Sequence, residues 1–84
     1  AVKYKILIEK PARKFIVTQS RDQQERILRA LYKLPFEGDV SPMLGHKGQY
    51  RVRIGTYRAI YYLYNDILTG QVIKVDNRGG VYKG

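Results

Sequence analysis

Apolar positions recur every second residue at the start of the chain, every third or fourth residue through its middle, and every second residue again from Tyr50 onwards. "VKYKILIE" (Val2–Glu9) sets Val2, Tyr4, Ile6 and Ile8 on one side, the period of a half-buried strand. "ARKFIV" then reads as a short helix with Ala12, Phe15 and Ile16 inward. Pro11 suits its start, because the N–H that proline lacks has no partner in a first turn. Ser20 and Gln23 match a capping box, the mark of a second helix N-terminus. From there Ile27, Leu28, Leu31 and Leu34 recur at helical spacing, while Arg21, Glu25, Arg26, Arg29 and Lys33 take the outer face. Pro35 closes that helix. Residues 35–49, "PFEGDVSPMLGHKGQ", hold two prolines and three glycines and read as loop.

"YRVRIGTYRAIYYLY" (Tyr50–Tyr64) predicts a β-hairpin. Gly55-Thr56 suits a two-residue type II′ turn, whose twist matches paired strands. That turn pairs Ile54 with Tyr57, Arg53 with Arg58, Val52 with Ala59 and Arg51 with Ile60. One face then carries Val52, Ile54, Tyr57, Ala59, Tyr61 and Leu63; the other carries Arg51, Arg53, Arg58, Ile60, Tyr62 and Tyr64. Like charges directly opposite destabilise a sheet by up to about 1 kcal/mol, so stability alone gives no reason for Arg53 to face Arg58. The two readings are a bound anion and a solvated basic face. "NDILTG" turns the chain, "QVIKVD" (Gln71–Asp76) is a further strand, and Gly79-Gly80 breaks regular structure before Val81-Tyr82. The order is β-α-α-β-β-β. Two N-terminal helices on one face of a mostly antiparallel sheet make an α+β fold, a single domain over residues 1–84, whose open face is the arginine face.

Composition adds a direction. A net charge of +9 on 84 residues suits nucleic acid, an acidic protein partner or an anionic membrane surface. At 44% hydrophobic and 27% charged, the chain has the makeup of a globular domain. No apolar run nears the roughly 20 residues of a membrane span, and the N-terminus has no signal-peptide block, so a cytoplasmic location is expected. With no cysteine, thiolate chemistry and Cys-ligated zinc are excluded. No Asp/Glu/His grouping has metal-ligand spacing, and no phosphate loop surrounds Gly79-Gly80; no cofactor or metal is expected.

The chain resembles the RelE/ParE superfamily of toxins from toxin–antitoxin pairs. The matching marks are Leu44-x-x-x-Gly48-x-Tyr50-Arg51-x-Arg53, then Gly55-x-Tyr57-Arg58-x-x-Tyr61, then Arg78-x-x-Val81-Tyr82. The resemblance implies a RelE-like fold and a ribosome-dependent mRNA endonuclease that cuts in the decoding site and is silenced by an acidic antitoxin. Carried over residue by residue, the RelE-branch active site falls on Arg51, Arg53, Arg58, Arg78 and Tyr82. The first two positions are commonly lysine in the RelE pattern. Arginine, with a pKa above about 12, does not give up its proton, which leaves the general base unassigned.

RNA is cut without a metal when its own 2′-hydroxyl attacks the adjacent phosphorus. Guanidinium groups bind phosphate oxygens in a bidentate manner and stabilise the added negative charge, a role assigned first to Arg58 and Arg78, with Arg51 and Arg53 holding substrate phosphates. Tyr82 is a candidate for proton transfer or for stacking on a splayed base; the alternative is a C-terminal aromatic packed on the sheet. Arg78 has the alternative of a turn arginine, and His46 reads as an exposed loop residue. Tyr57, Tyr61, Tyr62 and Tyr64 read mostly as core and edge aromatics; of them only Tyr62, on the arginine face, is a candidate to touch RNA. Two other functions stay open: a ParE-like poison of DNA gyrase, and an RNA-binding module without catalysis.

Overall fold

Ser20 caps a helix as its spacing predicts, its hydroxyl accepting from the Gln23 N–H at 3.3 Å. The structure is a computed structural model that describes residues 3–35, 37–45 and 47–77. Val2, His46, Arg78 and Tyr82 lie outside the described residues. The elements are β1 (Lys5–Ile8), α1 (Lys10–Val17), α2 (Arg21–Leu31), β2 (Asp39–Pro42), β3 (Gln49–Ile54), β4 (Tyr57–Tyr64) and β5 (Thr69–Asn77). Pro11 sits in the first turn of α1, and α2 ends at Leu31, with Leu34 in the turn that follows.

The element order holds one strand more than the sequence pattern predicts. Asp39-Val40-Ser41-Pro42, inside the segment read as loop, pairs antiparallel with β3 as the edge of the sheet. An edge strand leaves one side of its backbone without a ladder partner, so Pro42 costs no hydrogen bond there. The sheet order is β1-β5-β4-β3-β2, with β1 parallel to β5 and all other pairs antiparallel.

The hairpin forms in the predicted register, Ile54 opposite Tyr57 and Arg53 opposite Arg58. Gly55 has φ +61° and Thr56 stays out of the left-handed region, as a type II′ turn requires. A side chain at Gly55 would be strained and would also meet the Arg26 guanidinium, whose Nη2 lies 3.3 Å from the position of a Cβ.

Both helices cover one face of the sheet, α1 against β5 and α2 against β3. Ala12, Ile16, Ile27, Leu31, Leu34, Val52, Ile54, Tyr57, Ala59, Tyr61, Val72 and Val75 form the core between them. Each fully buried large apolar side chain contributes about 1.5–3 kcal/mol relative to exposure, so this face carries the stability and leaves the other free for chemistry. Among the described residues no helix is long and apolar enough to cross a membrane.

Strand β5 departs from simple alternation. Val72 and Val75 are both buried, three positions apart, because the β4–β5 register shifts between Ile60 and Tyr61: Ile60 faces Lys74 while Tyr61 faces Val72. The extra residue, Ile73, is a β-bulge. It reverses the side to which the end of the strand points, turning Lys74 and Asp76 to the arginine face.

Candidate functional site

Four strands contribute one row of charges across the open face. Asp39 on β2 is the direct partner of Arg53 on β3, Arg53 of Arg58 on β4, and Arg58 of Asp76 on β5. The row runs acid, base, base, acid. Each of the two facing arginines thus has a carboxylate on its far side, which accounts for a like-charged pair in the middle of a sheet. The sequence pattern shows only half of this arrangement, because Asp39 falls in a segment read as loop and the bulge decides the direction of Asp76.

The two flanking ion pairs differ. Arg58 Nη2 lies 3.3 Å from Asp76 Oδ2, with the side chains 30% and 24% exposed. Arg53 Nη1 lies 3.7 Å from Asp39 Oδ2, with 52% and 63% exposed. Exposed pairs of the second kind contribute about 0–1 kcal/mol. Asp76 Oδ2 also lies 3.7 Å from Lys74 Nζ, so one oxygen faces two cations. Arg51, one row further along β3 and opposite Ser41, makes no ion pair among the described residues.

Arg51, Arg53 and Arg58 converge with Asp39 and Ser41 on a depression of about 210 Å³. The structure therefore brings together three of the five residues singled out from the sequence. Arg78 and Tyr82 lie outside the described residues. Three fixed positive charges around a concave polar surface fit a phosphate or phosphodiester, which accepts paired N–H donors from guanidinium groups. Among the described residues that line it, the Asp39 carboxylate is the one acceptor for a proton drawn from substrate. Among the described residues no group of three or more His, Asp or Glu is placed to hold a metal.

The tyrosines divide as their positions predict. Tyr57 and Tyr61 face the helices; Tyr57 Oη donates to Gln19 Oε1 at 2.9 Å, and the Tyr61 ring stacks on Tyr50 with centroids 5.7 Å apart. The Tyr61 hydroxyl is buried without a hydrogen-bond partner among the described residues, and its pKa is pushed up to about 12, first by burial and then by the neighbouring Tyr50. Tyr61 belongs to the core. Tyr62 lies on the arginine face, its ring 6.3 Å from that of Tyr64, whose Oη donates to Gln71 Oε1 at 3.0 Å.

Known proteins share this arrangement of strands and helices. The archaeal RelE in its complex with RelB from Pyrococcus horikoshii OT3 is 26% identical, with a TM-score of 0.78 over 93% of this chain and 98% of that one. A chain of the RelBE2 toxin–antitoxin complex of Mycobacterium tuberculosis is 22% identical, with a TM-score of 0.79 over 92% and 93%. The isolated E. coli RelE toxin is 20% identical, with a TM-score of 0.72 over 94% and 90%. Among curated proteins no relative matches. Residues 10–82 match the family model of the ParE toxin of type II toxin–antitoxin systems, and over that span the chain belongs to this family of the RelE/ParE superfamily.

Proposed function

We propose that this toxin is a ribosome-dependent mRNA endonuclease of the RelE kind. The observation that carries the reading is the meeting of Arg51, Arg53 and Arg58 at one concave site on the open face of the sheet. The 2′-oxygen of the cut nucleotide attacks its own 3′ phosphorus, the bond from phosphorus to the 5′-oxygen of the next nucleotide breaks, and that oxygen leaves with a proton. The products are a 2′,3′-cyclic phosphate and a 5′-hydroxyl. Arg58, with Arg78, stabilises the charge added to the phosphoryl oxygens; Arg51 and Arg53 hold the flanking phosphates. A proton acceptor is needed that arginine does not supply. Asp39 and Tyr82 are the two candidates, and Asp39→Asn and Tyr82→Phe separate them. The neighbouring 2′-hydroxyl is the nucleophile, so the reaction does not call for a metal-bound water.

The partner in this reading is an acidic antitoxin, supported by the RelB complexes among the similar structures and by the net charge of +9. A second reading has its own observation. The matching family model describes ParE toxins, and the resemblance to ParE implies a poison of DNA gyrase. Programmed ribosomes and a gyrase supercoiling assay, run on the same preparation, decide between the two. Cut mRNA with active gyrase supports the first reading. Intact mRNA with inhibited gyrase supports the second.

A further inference from the structure

We propose that Asp76 is a positioning residue of this site: its carboxylate holds the Arg58 guanidinium in the orientation from which it meets a phosphate. The inference rests on the nuclease reading and assigns a role to a residue outside the expected set. Three observations carry it. Asp76 is the direct cross-strand partner of Arg58, and the contact is the shorter and less exposed of the two ion pairs in the row. The bulge at Ile73 is what turns Asp76 towards Arg58; with unbroken alternation from the buried Val72, Asp76 would point at the helices instead. The contact is also poorly built for stability alone. It runs through a single Nη2–Oδ2 approach at 3.3 Å, while Arg58 Nε and Asp76 Oδ1 are buried without hydrogen-bond partners among the described residues. A buried polar atom left unpaired destabilises a fold. A pair serving stability alone would gain from a second contact between these groups.

A counter-ion that merely offsets the Arg53–Arg58 repulsion is the competing role, and the two predict opposite changes. Removing a counter-ion exposes positive charge, so phosphate binds more tightly and cleavage holds or quickens. Removing a positioning group leaves binding nearly as it was and slows the chemical step.

The experiment measures single-turnover cleavage of ribosome-bound mRNA and ribosome affinity, for the wild type, Asp76→Asn, Asp76→Glu, Arg58→Ala and the double variant Asp76→Asn/Arg58→Ala. Thermal unfolding checks that each is folded. Asp76→Asn is expected to slow cleavage by about 10–100-fold, the scale of a misaligned catalytic group, with affinity changed by less than about threefold. Asp76→Glu keeps the charge and recovers part of the rate. In the Arg58→Ala background Asp76→Asn costs nothing further, because the group it positions is gone. In parallel, the Arg58 Nε–H signal in NMR is expected to be ordered in the wild type and mobile in Asp76→Asn. Cleavage that is unchanged or faster in Asp76→Asn, or slowed equally in both backgrounds, overturns the proposal. So does equal mobility of Arg58 in both proteins. If wild-type toxin leaves ribosomal mRNA intact, the nuclease reading alone fails, and the NMR comparison still decides whether Asp76 holds Arg58.

Discussion

At Arg53 two opposing local effects nearly cancel. Replacing it with threonine removes the repulsion with Arg58 and also leaves Asp39 without its partner 3.7 Å away. Each effect is worth at most about 1 kcal/mol, and here the two act in opposite directions. Arg53→Thr is therefore expected to leave unfolding free energy within about 0.5 kcal/mol of wild type, by urea titration, while mRNA cleavage falls. A loss well beyond that with cleavage intact would make the arginine structural. At Arg58 the expected effect is on chemistry: Arg58→Ala should lower cleavage by about 10²–10³-fold with a much smaller loss of ribosome affinity, and Arg58→Lys should restore only part, since an ammonium lacks the bidentate fork. Tyr61 provides a test of the core. Its pKa is raised, so the folded state holds that proton more tightly than the unfolded chain does. Its contribution is full below the ordinary tyrosine value near 10 and is lost as pH rises from there towards about 12. Wild type should lose on the order of 2 kcal/mol more stability than Tyr61→Phe across that window. Parallel denaturation curves at pH 9 and 11.5 that shift equally would show the hydroxyl to be solvated.

Elements with a strong period were legible from the chain, and the site depends on two that were not. The alternation around Gly55-Thr56 determined the hairpin register residue by residue, because one face had to be buried and a one-residue slip would have buried the arginines. Strand β2 escaped because Asp-Val-Ser-Pro has little strand propensity and lies among turn residues; it forms because β3 offers an open edge and Val40 packs opposite Val52. The bulge left a trace, Val72 and Val75 spaced by three inside a strand pattern, which signals an inserted residue. Asp39 and Asp76 were thus invisible as partners of Arg53 and Arg58 until both elements were placed. Deleting Ile73 should remove the extra residue and restore strict alternation with Asp76 still opposite Arg58, because the pairs on either side of the bulge then follow without a break. We expect that deletion to keep Val75 in the core and cleavage near the wild-type level; loss of the Arg58–Asp76 contact, in a crystal structure or in the Arg58 NMR signal, would contradict this register.

Across the whole molecule, the helices close one face of the sheet and the charge excess of +9 is left to act on partners. An acidic antitoxin should associate at a rate that falls steeply with salt, and stopped-flow association that ignores ionic strength would tie the charge to ribosomal RNA instead. The site itself is neutralised along its Asp39–Arg53–Arg58–Asp76 row, so among the described residues lining the depression Arg51 is the arginine without an ion pair, and it should contribute more to phosphate affinity than either neighbour. The most direct measurement of the central claim is the chemistry of the cut ends on purified ribosomes carrying a defined mRNA. Upstream fragments ending in a 2′,3′-cyclic phosphate, formed by wild type and nearly absent with Arg58→Ala, are the predicted result. Fragments ending in a 3′-hydroxyl would contradict attack by the 2′-hydroxyl, and intact mRNA alongside inhibited gyrase would contradict the endonuclease itself.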